Sequence, residues 1–209
     1  AFIRLNGATV GCVANRSEME TEDGKKESLE AVLSGKGCDK AAAFVNFCDA
    51  FNIPVLTLVN VKGYRADICS EKVIAKAAGR LTYAYANASV PKVTVIAKDA
   101  LGSAGLTMGS KSLGTDIVYA WTGASIGMMD AKEAAKIMYA KEIEAAGDAV
   151  ALINEKAGEY AALQSSALSA AKRGYVDDII EARETRQRVI AAFEMLFTKS
   201  EDRPSKKHG

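Results

Sequence analysis

Two short runs of consecutive apolar, mostly β-branched residues stand out along the chain. Residues 55–59 read Val-Leu-Thr-Leu-Val, and residues 93–97 read Val-Thr-Val-Ile-Ala. Apolar runs of this length, without polar alternation, are typical of strands that are covered on both faces of a parallel sheet. The pattern therefore predicts two buried strands, each followed by a turn rich in small or polar residues.

Segments with apolar residues at helical spacing lie between and before these strands. From Cys38 to Phe51 the apolar positions recur every three or four residues, and Asn52 and Pro54 end the pattern. The same spacing predicts a second helix over 70–87. Its apolar stripe consists of Ile74, Ala77, Ala78, Leu81 and either Ala84 or Tyr85.

The remaining chain divides into shorter elements. Residues 2–6 and 9–14 flank Gly7-Ala8 and predict a β-hairpin. The charged stretch 18–36 predicts a solvated loop or a short exposed helix. The other predicted elements are strands at 117–120 and 124–128, two helices broken near Gly147 within 131–171, and a last helix over 183–198. The apolar face of that last helix is formed by Val189, Ile190, Phe193, Leu196 and Phe197.

This succession of elements favours one fold class. A strand, a helix and a second strand in sequence imply parallel strands with helices packed on the sheet. At 209 residues the chain is long enough for one domain with a substantial core. We expect a single α/β domain over 1–200 and a basic tail over 201–209. The chain begins Ala-Phe-Ile inside a predicted strand, which suggests a piece of a longer polypeptide.

Charge and cysteine content narrow the classes of partner and compartment. Lys plus Arg (27) and Asp plus Glu (26) nearly cancel, so no net field attracts nucleic acid or an anionic membrane. The sequence shows no signal peptide and no apolar run long enough to span a bilayer. We expect a cytoplasmic protein whose four cysteines are reduced thiols rather than disulfides or zinc ligands. These cysteines are Cys12, Cys38, Cys48 and Cys69.

The turn after the second buried strand is the main candidate for chemistry. Gly102-Ser103-Ala104-Gly105 separates that strand from another apolar run of small residues. A strand-to-helix turn presents unpaired main-chain N–H groups, and small residues let a ligand approach them. The turn Lys62-Gly63-Tyr64 follows the first strand, at the neighbouring strand end, where ligands of parallel sheets bind. The two turns together predict a site for an anionic oxygen. The alternative is a structural turn whose glycines serve packing alone.

Other candidate sites are weaker. His208, the only histidine, lies in the tail, which argues against a Ser-His-Asp or Cys-His arrangement and against a histidine-rich metal site. The sequence Gly109-Ser110-Lys111 has the wrong residue order for a phosphate-binding loop. The acidic pair Asp177-Asp178 is more typical of a solvated face or a cap than of an acid/base dyad. Trp121 and at least one residue of the pair Tyr83 and Tyr85 are expected in the core.

Ten stretches of the chain, taken together, carry a resemblance to a known family. The most specific are residues 47–54, Phe-Cys-Asp-Ala-Phe-Asn-Ile-Pro, and the closing Lys206-Lys207-His208-Gly209. The others are residues 6–11, 39–42, 83–86, 90–95, 108–111, 119–121, 174–180 and 185–186. In this order they resemble the C-terminal half of the carboxyltransferase subunits of biotin-dependent acyl-CoA carboxylases and decarboxylases, of the propionyl-CoA and methylmalonyl-CoA type.

The resemblance implies both a fold and a function. The fold would be crotonase-like, a spiral of ββα units, with residues 18–36 as a surface insertion. The chain would be the biotin-side half of an enzyme that moves carboxylate between carboxybiotin and a short-chain acyl-CoA. Biotin would be carried on a partner domain or subunit, and acyl-CoA would be the substrate. The implied partners are an N-terminal carboxyltransferase half, a biotin carrier and further copies of the subunit. Alone, the chain would have little or no activity.

The resemblance also assigns roles to residues of the two turns. The main-chain N–H groups of Ser103 and Ala104 correspond to donors of an oxyanion hole that stabilises negative charge on a biotin oxygen. Gly63 and Tyr64 belong to the second catalytic turn, which reads Pro-Gly-Phe in the family. The implied substrate-binding residues are Gly102, Gly105, Ile68 and Cys69, the last two near a position that helps to select acyl chain length. No metal is implied.

Three departures from the family pattern leave the acyl substrate open. Ser103 and Gly105 replace a glycine and a tyrosine of the family's Gly-Gly-Ala-Tyr turn, Lys62 replaces a proline, and the stretch after Tyr64 lacks the usual Pro-Gly-Thr-Asp-Gln. The direction, carboxylase or decarboxylase, is also open. One alternative is another crotonase-like acyl-CoA enzyme, such as a hydratase or isomerase, which would need positioned carboxylates near the glycine turn; the sequence shows none. The other is a non-catalytic docking module for a biotin carrier or for assembly.

Overall fold

The computed structural model describes residues 1–16 and 18–201. The tail predicted over 201–209 therefore lies, apart from Glu201, outside the described residues, and so does His208. Among the described residues, no helix combines the length and apolar character needed to cross a membrane.

A hairpin at the start of the chain forms one edge of the main sheet. Strand β1 (Phe2–Leu5) pairs antiparallel with β2 (Ala8–Ala14). Asn6 and Gly7 join them with φ values of 47° and 83°. A two-residue hairpin turn requires this left-handed backbone, which asparagine and glycine adopt most readily. The predicted hairpin is confirmed.

The charged stretch 18–36 differs from its prediction. It contains a second, exposed hairpin of β3 (Glu18–Glu20) and β4 (Lys26–Ser28), followed by the short strand β5 (Val32–Leu33). The prediction of a loop or a short helix is wrong here. Strands of only two or three residues are too short for a pattern of apolar and polar positions to identify them in the sequence.

The main sheet is otherwise parallel. The remaining strands are β6 (Val55–Val61), β7 (Gly63–Tyr64), β8 (Lys92–Leu101), β9 (Ile117–Trp121), β10 (Ser125–Gly127) and β11 (Asp178–Ile180). The strand order is β1-β2-β6-β8-β9-β11, with β10 also pairing with β8, and every described pairing after β1–β2 is parallel. Strands β5 and β7 form a separate parallel pair. The two apolar runs of the sequence thus become the central strands β6 and β8, as predicted.

Nine α-helical segments lie in the described part of the chain. They are α1 (Gly35–Ala50), α2 (Ile68–Glu71), α3 (Ile74–Asn87), α4 (Gly102–Thr107), α5 (Ala131–Met138), α6 (Ala140–Ala145), α7 (Ala149–Tyr160), α8 (Ala167–Lys172) and α9 (Thr185–Met195). Helices α1 and α3 pack on each other, and the predicted apolar stripe of α3 is buried at Ala77, Leu81, Ala84 and Tyr85.

Side-chain caps explain why several helix ends differ from the predicted ones. The Ser34 hydroxyl accepts a hydrogen bond from Gly37 N at 3.1 Å, so α1 begins earlier than predicted. The Asp67 carboxylate accepts from Ser70 N at 2.7 Å and starts the separate one-turn helix α2, which divides the helix predicted over 70–87. These caps satisfy main-chain donors that have no partner within a helix.

The region 131–171 contains four α-helical segments and a π-helical turn, Ala161–Ser165, rather than two helices. The predicted break near Gly147 is confirmed, and Asp148 caps α7 by accepting from Ala151 N at 3.0 Å. Ser166 caps α8 in the same way through Ser169 N at 3.1 Å. Alanine favours helix throughout this region, so propensity alone does not reveal the additional breaks.

The core lies on both faces of the sheet, and several side-chain predictions can be compared with it. Tyr85 is 1% exposed and its hydroxyl lies 2.9 Å from that of Thr57, whereas Tyr83 is 60% exposed. Trp121 packs against the second core cluster and donates to Thr185 Oγ1 at 2.8 Å. Phe197 was predicted in the apolar face of the last helix, but it is 87% exposed. That prediction is wrong because α9 ends before it.

A cluster of charges joins residues 199–201, which follow α9, to the amino ends of β8 and β9. The Lys199 ammonium group lies 2.9 Å from the Asp116 carboxylate and 2.8 Å from that of Glu201, and it donates to Val90 O at 3.2 Å. Its side chain is only 10% exposed. Asp116, directly before β9, also accepts a hydrogen bond from Lys92 N, in β8, at 2.8 Å. Its carboxylate therefore connects Lys199 with both strands.

All four cysteines are free thiols, as predicted, and their surroundings differ. Burial raises the pKa of Cys38 and of Cys48 to about 11 and raises the pKa of Cys12 above its ordinary value. A raised pKa lowers the thiolate fraction at pH 8, and the thiolate is the reactive form. Cys69, by contrast, is exposed.

We therefore expect a disulfide reagent at pH 8 to label one thiol rapidly in the folded chain, and all four after unfolding. The measurement is the time course of labelling by Ellman's reagent, with and without denaturant. Cys69→Ser should remove the rapid phase. A rapid phase of unchanged amplitude in that variant would contradict the assignment.

Candidate functional site

The two turns identified in the sequence lie side by side at one edge of the sheet. Strands β6 and β8 are parallel neighbours, with Val59 opposite Ile96 and Val61 opposite Ala100 after a register shift. Their carboxyl ends therefore point to the same edge, where turns 62–64 and 102–105 begin. The predicted proximity of the two turns is confirmed.

The second turn joins strand to helix without an intervening loop. Strand β8 ends at Leu101, and α4 begins at Gly102, whose φ is 59°. A Cβ at Gly102 would also lie 3.1 Å from Met128 O, so both the backbone angle and the space favour glycine. No described side chain caps α4. Its first N–H groups, which include those of Ser103 and Ala104, have no carbonyl partner within the helix.

Gly105 allows α4 to lie directly on the strand that precedes it. A Cβ built on Gly105 would lie 2.6 Å from the carbonyl carbon of Ala100 and 3.1 Å from its Cα. Real Cβ atoms do not approach main-chain atoms this closely, so a side chain here would force the helix away from β8. Glycine at position 105 thus allows α4 to pack on β8, in addition to its predicted contact with substrate.

Two polar contacts hold the first turn to the strand and the helix that flank the second turn. The Tyr64 hydroxyl lies 2.9 Å from the hydroxyl of Thr107, in the last residue of α4. The Lys62 ammonium group lies 3.9 Å from the Asp99 carboxylate in β8. Tyr64 is half-buried and also packs against the main core cluster. Its side chain therefore connects the turns rather than only covering a pocket.

Asp99 is a carboxylate that the sequence analysis overlooked. It lies three residues before Gly102 and is 8% exposed. Its Oδ2 atom has no hydrogen-bond partner among the described residues, and Lys62 is its ion-pair partner. The structure thus places one carboxylate beside the first turn, against Lys62. The sequence offers no signal for this contact, because it depends on the register of β8 against β6.

Two cavities lie near the turns. One, of about 320 Å³, is lined by Gly102, Gly105 and Leu106 and, from the helical region, by Tyr160 and Gln164. The other, of about 960 Å³, lies between β2, the β3–β4 hairpin and α1, and its lining includes Arg65, directly after Tyr64. Ser103 and Ala104 line neither cavity. Ser103 is exposed at the surface of the chain, whereas Ala104 beside it is 1% exposed.

Comparison with known proteins decides the family. The family model described as carboxyl transferase domain matches residues 1–209. The chain belongs to the carboxyl transferase domain family. It is 42% identical to the methylmalonyl-CoA carboxyltransferase 12S subunit of Propionibacterium freudenreichii subsp. shermanii and 41% identical to the methylmalonyl-CoA decarboxylase subunit alpha of Propionigenium modestum. The match covers all of this chain and only 38% and 39% of those two proteins.

Solved structures confirm the fold of this carboxyl transferase domain. It superposes on transcarboxylase 12S, solved as a hexamer with hydrolysed methylmalonyl-coenzyme A bound, with a TM-score of 0.87 at 42% identity, over 100% of this chain and 38% of that one. It also matches the beta subunit of geranyl-CoA carboxylase from P. aeruginosa, with a TM-score of 0.77 at 24% identity, over 100% and 38% of the two chains. The predicted α/β, crotonase-like fold is therefore confirmed.

Two further predicted site residues of the carboxyl transferase domain lie apart from the cavities. Ile68 and Cys69 begin α2, shortly after the first turn, and both are exposed, Ile68 to 78%. Neither lines either cavity. Their role in selecting acyl chain length stays a prediction. Within residues 1–16 and 18–201, no cluster of three or more His, Cys, Asp or Glu side chains could hold a metal ion.

Proposed function

We propose that this chain is the biotin-side half of an acyl-CoA carboxyltransferase that moves a carboxyl group between carboxybiotin and a short-chain acyl-CoA of the propionyl-CoA and methylmalonyl-CoA type. One observation supports this above all others. The whole chain matches the carboxyl transferase domain, and relatives at 41–43% identity are named for reactions of methylmalonyl-CoA or propionyl-CoA.

We assign the oxyanion donors to the main-chain N–H groups of Ser103 and Ala104. Gly102 gives the turn its left-handed backbone, and α4 begins without a side-chain cap. Gly63 and Tyr64 form the adjoining turn, which contacts α4 through Thr107. Fixed N–H donors need no reorganisation when charge develops, so they stabilise an anionic transition state better than mobile water does.

The donor set fits biotin, which a partner domain or subunit would carry. When bound, biotin supplies the carboxyl group and a ureido oxygen on which negative charge develops as that group leaves. The uncapped amides of α4 are hydrogen-bond donors without a competing side chain, as such an oxygen requires. Loss of one such donor costs about 2.7 to 4 kcal/mol of transition-state stabilisation. Main-chain amides can therefore carry this chemistry without a histidine.

Other parts of a longer protein would complete the site. Ser103 is exposed and the assigned donors line neither cavity, so this chain provides one wall of a site. The chain spans 38% of the length of transcarboxylase 12S, whose structure is described as a hexamer with a substrate bound. We infer that an N-terminal carboxyltransferase half holds most of the acyl-CoA, that a biotin carrier delivers the carboxyl group, and that the complete subunit is a homo-oligomer. Four free thiols support a cytoplasmic location.

Asp99 raises a second candidate function, a crotonase-like hydratase or isomerase. Such enzymes need an acid or base near the oxyanion turn, and the buried Asp99 carboxylate lies close to it in the sequence. Its ion pair with Lys62 instead favours a structural link between the turns. The names of the relatives likewise favour carboxyl transfer.

The test compares the complete subunit with this chain alone. We expect the complete subunit to convert methylmalonyl-CoA and biotin to propionyl-CoA and carboxybiotin, as measured by chromatography of the CoA products. The isolated chain should show no transfer, and addition of the separately produced N-terminal half should restore it. Hydration of an enoyl-CoA without carboxyl transfer by the complete subunit would show that the second candidate is correct.

A further inference from the structure

Three hydroxyl and carbonyl groups form a continuous hydrogen-bonded chain from the first turn to the second. The Thr107 hydroxyl donates to the main-chain oxygen of Ser103 at 2.8 Å. The Tyr64 hydroxyl lies 2.9 Å from the same Thr107 oxygen. Thr107 is 5% exposed and Tyr64 is half-buried, so most of this chain is shielded from water. We call it the hydroxyl chain.

The chemistry of the groups fixes the direction of these hydrogen bonds. A peptide oxygen only accepts, so the single proton of the Thr107 hydroxyl is committed to Ser103 O. The Thr107 oxygen can still accept through its lone pairs, and Tyr64 must therefore donate to it. The protons thus run from Tyr64 to Thr107 and from Thr107 to Ser103 O. Hydrogen bonds arranged in one direction polarise and strengthen one another.

The end of the hydroxyl chain lies on the peptide unit that carries an assigned donor. The carbonyl of Ser103 and the N–H of Ala104 belong to one planar peptide group, in which the C=O and N–H bonds point in opposite directions. A hydrogen bond that holds the carbonyl also fixes the direction of the N–H. It further withdraws electron density from the carbonyl, which makes the N–H of the same peptide a stronger donor.

From this geometry we propose that Thr107 and Tyr64 are positioning residues for carboxyl transfer. They orient and polarise the Ser103–Ala104 peptide so that the Ala104 N–H meets the developing negative charge. The proposal rests on the proposed function, because it needs that N–H to be a donor in the reaction. It adds Thr107 to the site and gives the Tyr64 hydroxyl, in the adjoining turn, a role that acts through the main chain and not on the reacting atoms.

The hydroxyl chain also accounts for the contact between the two turns. Tyr64 lies in β7, which pairs with β5, and Thr107 ends α4. A displacement of the first turn would therefore break the hydrogen bond that Tyr64 donates to Thr107, the residue that holds Ser103 O. Geometry errors of about 1 Å at a reacting group can cost about 100-fold in rate, so a link of this kind has kinetic consequences.

The test removes the hydroxyls singly in the complete subunit. Thr107→Val keeps the side-chain volume and Tyr64→Phe keeps the ring. We expect Thr107→Val to lower kcat about tenfold, which is less than the about 100- to 1,000-fold loss on removal of a donor itself. KM for biotin should change little, because the oriented N–H matters most in the transition state. Tyr64→Phe should have a smaller effect in the same direction.

Two further variants separate positioning from stability. Thr107→Ser retains a hydroxyl and should recover most of the kcat lost in Thr107→Val. Tyr85→Phe removes the hydroxyl from the other buried tyrosine–threonine pair, 2.9 Å from Thr57, and is the matched control. It should lower the melting temperature and leave kcat unchanged. The double variant Tyr64→Phe/Thr107→Val should be no slower than Thr107→Val alone, because the hydroxyl chain is already broken there.

The variant Ser103→Pro removes the main-chain N–H of the other assigned donor. Comparison with it distinguishes failure of this inference from failure of the proposed function. If Ser103→Pro loses transfer while Thr107→Val keeps the wild-type kcat, the positioning role is refuted and the donor assignment stands. If Ser103→Pro is folded and fully active, the assignment of Ser103 as a donor fails, and if Ala104→Pro is also folded and fully active, the inference fails with it. A kcat loss in Thr107→Val that Thr107→Ser does not recover would also refute the positioning role.

Discussion

Proline at position 104 of the complete subunit should lower the turnover number for carboxyl transfer by about 100-fold or more. Proline has no main-chain N–H, so the substitution removes one of the two assigned donors. The amide is not needed within α4, because the first N–H groups of a helix have no intrahelical partner. The measurement is the initial rate of propionyl-CoA formation from methylmalonyl-CoA and biotin at saturating concentrations of both.

A second proline variant guards against misfolding. Ala104 is 1% exposed, and proline there disfavours the helical conformation of the preceding residue. Ser103 is exposed and follows a glycine, so Ser103→Pro removes the neighbouring donor with less strain. Val150→Pro is the matched control, since Val150 is also the exposed second residue of a helix, α7. Unchanged turnover in Ser103→Pro, with a wild-type melting curve, would refute the assignment of the Ser103 N–H as a donor.

Replacing Gly105 with alanine should cost about 1 to 3 kcal/mol of unfolding free energy, the usual range for overpacking a well-packed core. The new Cβ would lie 2.6 Å from the Ala100 carbonyl carbon, which is main chain and cannot rotate away. The structural change of lowest energy is a shift of α4 away from β8, which also displaces Ser103 and Ala104. We therefore expect lower kcat as well as lower stability. Urea unfolding followed by circular dichroism measures the stability, and the transfer assay measures kcat.

The same substitution at another glycine provides the control. Gly79 lies inside α3, and a Cβ there meets no atom within 4 Å. Alanine at this position should stabilise the chain by about 0.5 to 1 kcal/mol, because glycine loses more backbone entropy in a helix. Its transfer rate should stay at the wild-type value. If Gly105→Ala were as stable and as active as Gly79→Ala, close packing of α4 on β8 would not govern the site.

The sequence predicted those parts of the fold in which a local pattern has only one good solution. The β-branched runs at 55–59 and 93–97 became the central strands, and the runs around Gly7-Ala8 predicted the hairpin, whose turn lies one residue earlier, at Asn6 and Gly7. The hairpin within 18–36 was missed because its strands are short and charged. The extra helix breaks between 131 and 171 were missed because a serine or aspartate cap is a weak signal within an alanine-rich sequence.

The candidate site was predictable only at the level of the main chain. Small residues after two parallel strands indicated two neighbouring turns, and the structure brings them together. The side-chain links between the turns were not predictable. Thr107 lies in an apolar run that gives no sign of a hydroxyl partner, and its contact with Tyr64 joins residues 43 positions apart. The Lys62–Asp99 pair likewise depends on the register of β6 against β8.

The ion cluster around Lys199 has a consequence for substitutions in this domain. It joins the segment after α9 to the amino ends of β8 and β9, whereas the turns of the candidate site lie at the carboxyl ends of β6 and β8. Because the Lys199 side chain is only 10% exposed, dissolved salt should screen the cluster weakly. One end of the strands is thus held by largely buried charges, and the other end carries the turns of the candidate site. Substitutions at exposed positions of the turns, such as Lys62 and Ser103, should therefore leave the Lys199 cluster intact.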